Sequence, residues 1–336
     1  MNKKIHVLDC TLRDGGYVND FEFGSKNMLK IIENLNMSGI EIIELGFLKN
    51  CQNNIDKSIF NKVSDAETII SNIPTNQEYC LMIRPDWFDI NQLESCTGKI
   101  KILRFAFHYK DLKLALHQAK IAREKGYRII LNPVNIISYT KDKLEKLLKK
   151  LNGISPEGVC IVDTFGSMTI EDLKKIYKTF NSILTPNIII GLHLHENLSL
   201  SMGLASTFIE LSKNDREIII DSSVLGIGRV PGNLCTELIL SLLNEKNNEK
   251  YILSNIYSII DDPIKKIRSD VEWGYLPVYA ITASKKLHRD YAEYLNSKSE
   301  LDLNAKNFIL SKIINEKDKF FFNKDLIEKI YNSLSK

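Results

Sequence analysis

No two of the six cysteines stand in a C-x-x-C spacing; Cys10, Cys51, Cys80, Cys96, Cys160 and Cys235 are scattered along 336 residues. That excludes a zinc site or a disulfide frame and fits buried thiols in a reducing compartment. No apolar run approaches the ~20 residues that a membrane span needs. The opening Met1-Asn2-Lys3-Lys4 runs into His6 and Asp9 without the apolar core of a signal peptide. Neither charge dominates, since 45 Lys+Arg against 42 Asp+Glu leave only +3. The surplus is too small to argue for nucleic acid, and the lysines are spread along the chain rather than gathered in a block. No internal repeat or low-complexity linker is visible, although 244–250 is a polar hinge candidate. What is present, 44% hydrophobic and 26% charged residues, is the composition of a soluble globular protein, expected in the cytoplasm.

Short β-rich runs alternate with amphipathic helical runs. The strand candidates are Ile5 to Leu8, Ile40 to Leu45, Tyr79 to Ile83, Ile100 to Phe107, Arg128 to Leu131, Gly158 to Val162, Ile188 to Leu194 and Glu217 to Ile220. Helical stripes follow them: Met28, Ile31, Ile32 and Leu35 share one face, and helices are expected near 60–70, 91–94, 110–125, 200–211 and 233–243. Gly126 reads as the residue that ends the fourth. Thr140 and Thr169 read as N-caps, with Asp142 and Glu171-Asp172 in the first turns that follow. Eight strand–helix units in about 245 residues have the size and rhythm of a (β/α)8 TIM barrel. A doubly wound open sheet is the alternative, but no G-x-G-x-x-G follows the first strand. The expected division is therefore a barrel over 1–245 and a helical extension over 246–336, with helices at 251–260, 280–295, 304–314 and 324–334.

In such a barrel the chemistry sits at the C-terminal ends of the strands. Those ends carry Asp9, Arg13-Asp14, Glu44, Arg84, Arg104, His108, Asn132, Asp163, His193, His195 and Asp221 to Ser223. His193 and His195 are two apart on a strand and face the same way, which makes half of a metal site. Two unrelated strand-end histidines would look the same. A carboxylate from another strand end, Asp14 or Asp9, would complete a two-His-one-carboxylate set. That set also suits a non-haem iron oxygenase, and periodicity does not decide between them. His6 and His117 read as structural, and Trp87 and Trp273 as core or interface aromatics.

Leu8-Asp9-Cys10-Thr11-Leu12-Arg13-Asp14-Gly15-Gly16 resembles the D-x-T-L-R-D-G signature of the DRE-TIM metallolyase (HMG-CoA lyase-like) superfamily. In order along the chain, 43–46, 163–168, 191–200 and 226–233 resemble its further motifs, the last two being similar to those of 4-hydroxy-2-oxovalerate aldolases. A weaker likeness covers 274–279. The resemblance spans the whole barrel and implies that Asp14, His193 and His195 hold a divalent metal, usually manganese or magnesium. Asn233 would ligate or support it. Arg13 would stabilise an enolate oxygen, and Glu44 would orient Arg13 or Asp14. Asp9 would support the site rather than ligate. Tyr17 stands where the aldolases usually carry a histidine acid/base, so Tyr17, His108, Tyr279 or a metal-bound water takes that role.

The chemistry implied is cleavage or formation of a C–C bond in a 2-oxo acid, giving pyruvate and an aldehyde. Two alternatives are a Claisen-type synthase or lyase using acyl-CoA, and a partner-dependent subunit of an aldolase–dehydrogenase complex. The partners expected are a small-molecule 2-oxo acid and aldehyde, an aldehyde dehydrogenase and a second copy of the chain, with no nucleic acid and no membrane.

Overall fold

Parallel strands buried on both faces read as near-continuous apolar runs, and the eight such runs of this chain close into one barrel. In the computed structural model, which describes residues 4–74, 77–213, 216–247 and 250–334, the strands are β1 (Ile5–Asp9), β2 (Ile42–Leu48), β3 (Glu78–Ile83), β4 (Ile100–Phe107), β5 (Arg128–Pro133), β6 (Gly158–Asp163), β7 (Ile189–Leu194) and β8 (Ile218–Ser222). Each pairs in parallel with its neighbours in sequence, and β1 pairs with both β2 and β8. The ring is closed. Met1 to Lys3 and, within the hinge candidate, Asn248-Glu249 lie outside the described residues. Asn244 and Tyr251 clasp each other across that segment by two hydrogen bonds of 2.8 Å.

The outer layer consists of α1 (Ser25–Met37), α2 (Val63–Ile69), α3 (Leu112–Glu124), α4 (Lys141–Asn152), α5 (Ile170–Ile183), α6 (Ser201–Ser212) and α7 (Thr236–Asn247). Local chemistry sets their ends. Thr140 accepts the Lys143 N–H at the start of α4, and Thr169 and Asp172 form a capping box at the start of α5. Past the end of α3, Gly126 takes φ +95°, a conformation costly for a residue with a Cβ. The apolar stripe of α1, Met28, Ile31, Ile32 and Leu35, is buried as its spacing predicts.

Side-chain parity divides each strand. Val7, Ile43, Leu81 and Leu103 point outward into the large core shared with the helices. Their neighbours Leu8, Ile42, Cys80, Ile102, Ile130, Cys160 and Ile219 point inward and fill the barrel. Residues two positions further along the inward set, at the strand ends, therefore face the barrel mouth.

Three local expectations differ. The second helix starts at Val63 because Ile59–Phe60 pairs with β2 as a short strand. Behind β3 only a 3-10 turn forms, Ile90–Gln92, with Asp89 as its cap. The helix expected over 280–295 is two, α10 (Pro277–Ser284) and α11 (Asp290–Asn296), because Lys286 adopts φ +55° and Leu287 N turns back onto Thr282 O. Before them come α8 (Leu253–Ile259) and α9 (Lys265–Asp270), and after them α12 (Leu303–Ser311), α13 (Glu316–Phe320) and α14 (Lys324–Leu334). Tyr251, Ile256, Ile259, Ile264 and Trp273 pack into the barrel's core, whereas Val278, Tyr279, Leu287, Tyr291 and Leu295 begin a second one. Among the described residues no helix is long and apolar enough to cross a membrane.

Candidate active site

The inward parity of β2, β4, β5, β7 and β8 brings Glu44, Arg104, Asn132, His193 and Asp221 to one end of the barrel, and the helical turn Thr11–Asp14 after β1 adds Arg13 and Asp14. They form a buried circuit. Arg13 donates from Nε to Glu44 Oε2 at 2.7 Å and from Nη1 to Asp14 Oδ1. Arg104 donates from Nη1 to the other oxygen of Glu44 at 3.1 Å, and from Nη2 to Asn132 Oδ1 at 3.1 Å and to Asp221 Oδ2. Asp221 Oδ2 in turn faces His193 Nδ1 at 3.0 Å. Around this circuit two guanidiniums stand against three carboxylates, a balance that a bound cation would complete.

The donor set fits a divalent ion. Asp14 Oδ2 is buried and has no hydrogen-bond partner, a costly state for a carboxylate oxygen unless something else binds it. It lies 3.9 Å from His193 Nε2 and 3.8 Å from His195 Nε2, too far for hydrogen bonds. The three candidate ligand atoms lie within 4.8 Å of one another. Each imidazole spends its Nδ1 elsewhere, His193 on Asp221 and His195 on the carbonyl of Asp163 at 2.9 Å. With the proton fixed on Nδ1, each Nε2 presents its lone pair to the shared point, the orientation that ligating histidines take from their outer partners. Burial and the adjacent His193 push the His195 pKa down to about 3, so it is neutral and able to ligate. Burial alone would raise Asp14, but the Arg13 guanidinium outweighs it and holds its carboxyl well below the usual range.

Asn233 is buried beside this set, in an isolated bridge with His195, and its Oδ1 has no partner. The backbone makes room for it at Gly228, where a Cβ would come within 2.3 Å of the Asn233 amide nitrogen. Asp9 belongs to the outward parity of β1. It accepts the Thr11 N–H at 2.9 Å and the Thr236 hydroxyl at 2.7 Å, fastening the loop that carries Arg13 and Asp14.

A cavity of about 330 Å³ opens above these groups and is lined by Arg13, Asp14, His193 and His195 together with Tyr17 and His108. Enclosure and the nearby Asp14 raise the Tyr17 phenol above its ordinary pKa, and its ring packs edge-on against Phe21 and Phe47. His108 stands at the exposed rim, where partial burial and Arg84 lower its pKa. Tyr279 is not brought to this cavity. It lies in the second core with Arg289 5.9 Å over its ring. From the same extension His288, Asp290, Phe320 and Phe321 reach the cavity instead. The pairing of Arg104 and Asp221 and the contribution of His288 were missed at the level of sequence. Parity could have found the first two, since Arg104 follows Ile102 and Asp221 follows Ile219 by two. No local signal marks His288.

Comparison with known proteins places the chain in a family. The HMGL-like family model matches residues 4–262. The 4-hydroxy-2-oxovalerate aldolase of Carboxydothermus hydrogenoformans is 25% identical over 264 residues, 78% of this chain and 76% of the relative. That of Bacillus cereus is 24% identical over 302 residues, 86% of each chain. Among solved structures, the N-terminal domain of a proposed aldolase from Bacteroides vulgatus superposes with a TM-score of 0.76 at 23% identity, over 88% of this chain and 97% of that one. The match runs from β1 through α8 and takes in the Arg13-Asp14 turn, the histidine pair and Asn233, so the chain belongs to the HMGL-like family.

Proposed function

We propose that the protein is a divalent-metal-dependent aldolase that cleaves a 4-hydroxy-2-oxo acid to pyruvate and an aldehyde, or joins them. The observation that carries this reading is the unpartnered Asp14 Oδ2, facing two imidazole lone pairs beside the Arg13 guanidinium on a cavity wall. Manganese or magnesium bound there would supply Lewis acidity toward the 2-oxo acid. Asp14, His193 and His195 hold it, with Asn233 in support.

Glu44 and Asp14 grip Nε and Nη1 of Arg13, which leaves Nη2 for the oxygen on which enolate charge develops. A donor fixed before the reaction costs no reorganisation during it. Glu44 is itself held by Arg104, so the orientation of Arg13 is set two residues deep. Tyr17, whose phenol stays protonated at neutral pH, delivers a proton to the aldehyde oxygen in the direction of bond formation. His108 at the rim, with its pKa lowered, is the other group of this cavity that can take up a proton. Tyr279 has no part in this account, because its side chain is in the second core.

A screen of 4-hydroxy-2-oxo acids with metal-reconstituted protein, read as pyruvate released, tests the proposal. Release of free thiol from acetyl-CoA with a 2-oxo acid, and none of pyruvate, would move it to Claisen chemistry. An aldehyde dehydrogenase partner, self-association and a cytoplasmic location belong to the same proposal. Co-purification from the native cell, with the mass of the complex measured, tests them.

A further inference from the structure

The inner wall of the cavity accounts for the 2-oxo acid; the mouth has its own chemistry. His288, Asp290, Phe320 and Phe321 come from the extension, and Tyr17, Phe165 and Arg229 from the barrel loops, and all of them line the same space. Several contacts hold His288: Phe165 packs on its ring at 4.8 Å with Phe322 at 6.4 Å, and its Nδ1 accepts the Asp290 backbone N–H at 3.2 Å and lies 3.7 Å from Asp290 Oδ2. Burial takes its pKa down to about 4, so the ring is neutral, and with Nδ1 accepting, its single proton is on Nε2. His288 is thus a fixed neutral donor.

The charges at the mouth are closed. Arg229 meets Asp290 Oδ1 at 3.1 Å, Arg289 shares that oxygen at 3.5 Å and holds Glu293 at 2.9 Å, and Arg84 holds Asp86 by two bonds of 3.2 and 2.8 Å. Each cation has its own carboxylate, and no surplus positive charge remains to reward a phosphate or a second carboxylate. Several polar atoms nevertheless have no protein hydrogen bond among the described residues: Arg229 Nε and Nη1, Asp290 Oδ2 and His288 Nε2. Donors and an acceptor alternate there, and Phe165 and the 58%-exposed Phe321 add aromatic planes. An unbranched alkyl aldehyde would strip water from these atoms and return nothing, which is where polar sites discriminate.

We propose that the aldehyde half of the substrate is an uncharged hydroxylated aldehyde of three or more carbons, whose hydroxyls are read by His288, Arg229 and Asp290. The proposal rests on the aldolase reading and names the substrate class for it.

The test uses the full-length, metal-loaded protein with pyruvate and four aldehydes: D-glyceraldehyde, butanal, succinic semialdehyde and glyceraldehyde 3-phosphate. The kcat/KM for D-glyceraldehyde is expected to exceed those of the other three at least tenfold. In His288→Phe, which keeps the ring against Phe165 and loses the donor, the glyceraldehyde-to-butanal ratio falls at least fivefold. His288→Gln, which restores a donor, recovers part of it, and Arg229→Gln lowers the ratio independently. Deuterium exchange at pyruvate C3, followed by NMR, separates the two readings. If exchange occurs but butanal or a charged aldehyde reacts as well as glyceraldehyde, or if His288→Phe leaves the ratio unchanged, the mouth assignment is overturned and the aldolase reading stands. If neither exchange nor condensation occurs, the aldolase reading falls and takes this assignment with it.

Discussion

Asp14, His193 and His195 form a site only because two strand ends, those of β1 and β7, converge, and the Asp14 Oδ2 that faces the two imidazoles has no hydrogen-bond partner. His193→Ala or His195→Ala is expected to remove most of the bound divalent ion, since losing one of three protein ligands with its oriented lone pair severely weakens a site. Elemental analysis of the purified variants checks this, and wild-type metal content in both would refute the ligand assignment. Arg13→Lys should keep fold and metal and lose about 100- to 1000-fold in kcat, because an ammonium cannot reach Glu44, Asp14 and an enolate oxygen together as the planar fork does. A value within a few-fold of wild type would make Arg13 structural. Tyr17→Phe is expected to slow turnover by roughly 100-fold or more with KM nearly unchanged, the signature of a proton donor acting in the transition state. A raised KM with kcat intact would instead make the phenol a substrate contact. The histidine pair is legible in the sequence because strand period and chemistry coincide there, and the Arg-Asp turn through its resemblance to the D-x-T-L-R-D-G signature. Tyr279 misled because a residue's distance from the barrel mouth is set by how the extension docks, which no local pattern encodes.

At the scale of elements, one side chain braces the barrel. Arg104 on β4 is 1% exposed and joins β2, β5 and β8 through Glu44, Asn132 and Asp221. Replacing it with methionine fills much of the same space but leaves Glu44 only Arg13, and Asp221 only His193, of the partners described for them. Breaking a buried ion network by removing one partner typically costs about 3–5 kcal/mol, so Arg104→Met should lower the urea midpoint by that equivalent. It should also weaken metal binding, since Asp221 and Glu44 orient His193 and Arg13. A midpoint unchanged from wild type would show that Asp221 and Glu44 find other partners. The eight strands were legible because doubly buried strands leave long apolar runs. Less was legible where tertiary pairing overrides local preference. Ile59–Phe60 could have continued a helix but pairs with Phe47–Leu48, and the apolar run over 280–295 breaks at Lys286 to bring His288 over the cavity.

At the scale of the whole molecule, the question is where the barrel ends. The hinge candidate at 244–250 marks a change in composition, but packing continues across it. Beyond it, Tyr251, Ile256, Ile259, Ile264 and Trp273 are buried in the barrel's own core. Trp273 Nε1 donates to Leu225 O at 2.8 Å, and Gly274 N to Pro231 O at 2.7 Å, so this stretch also ties down the loop after β8 that carries Arg229 and Asn233. The second core, from Val278 onward, meets the barrel through polar bridges, such as Lys286 to Asp172 at 3.3 Å and Arg229 to Asp290, through His288 on Phe165, and through Val230, which packs against both cores. Two truncations should therefore behave differently. A chain ending at Leu276 keeps the first core whole and is expected to unfold cooperatively and to bind the metal, while losing the mouth contributed by His288 and Asp290. A chain ending at Glu245 loses five large buried side chains, each worth roughly 1.5–3 kcal/mol. That loss is comparable to the 5–15 kcal/mol that holds a typical domain together. It should be unfolded or molten, with no sharp thermal transition by circular dichroism. A cooperative melt of the shorter chain would place the end of the barrel at the hinge. Failure of the longer one would mean that the two cores fold only together, and that the extension is part of the catalytic unit rather than a cover set on its mouth.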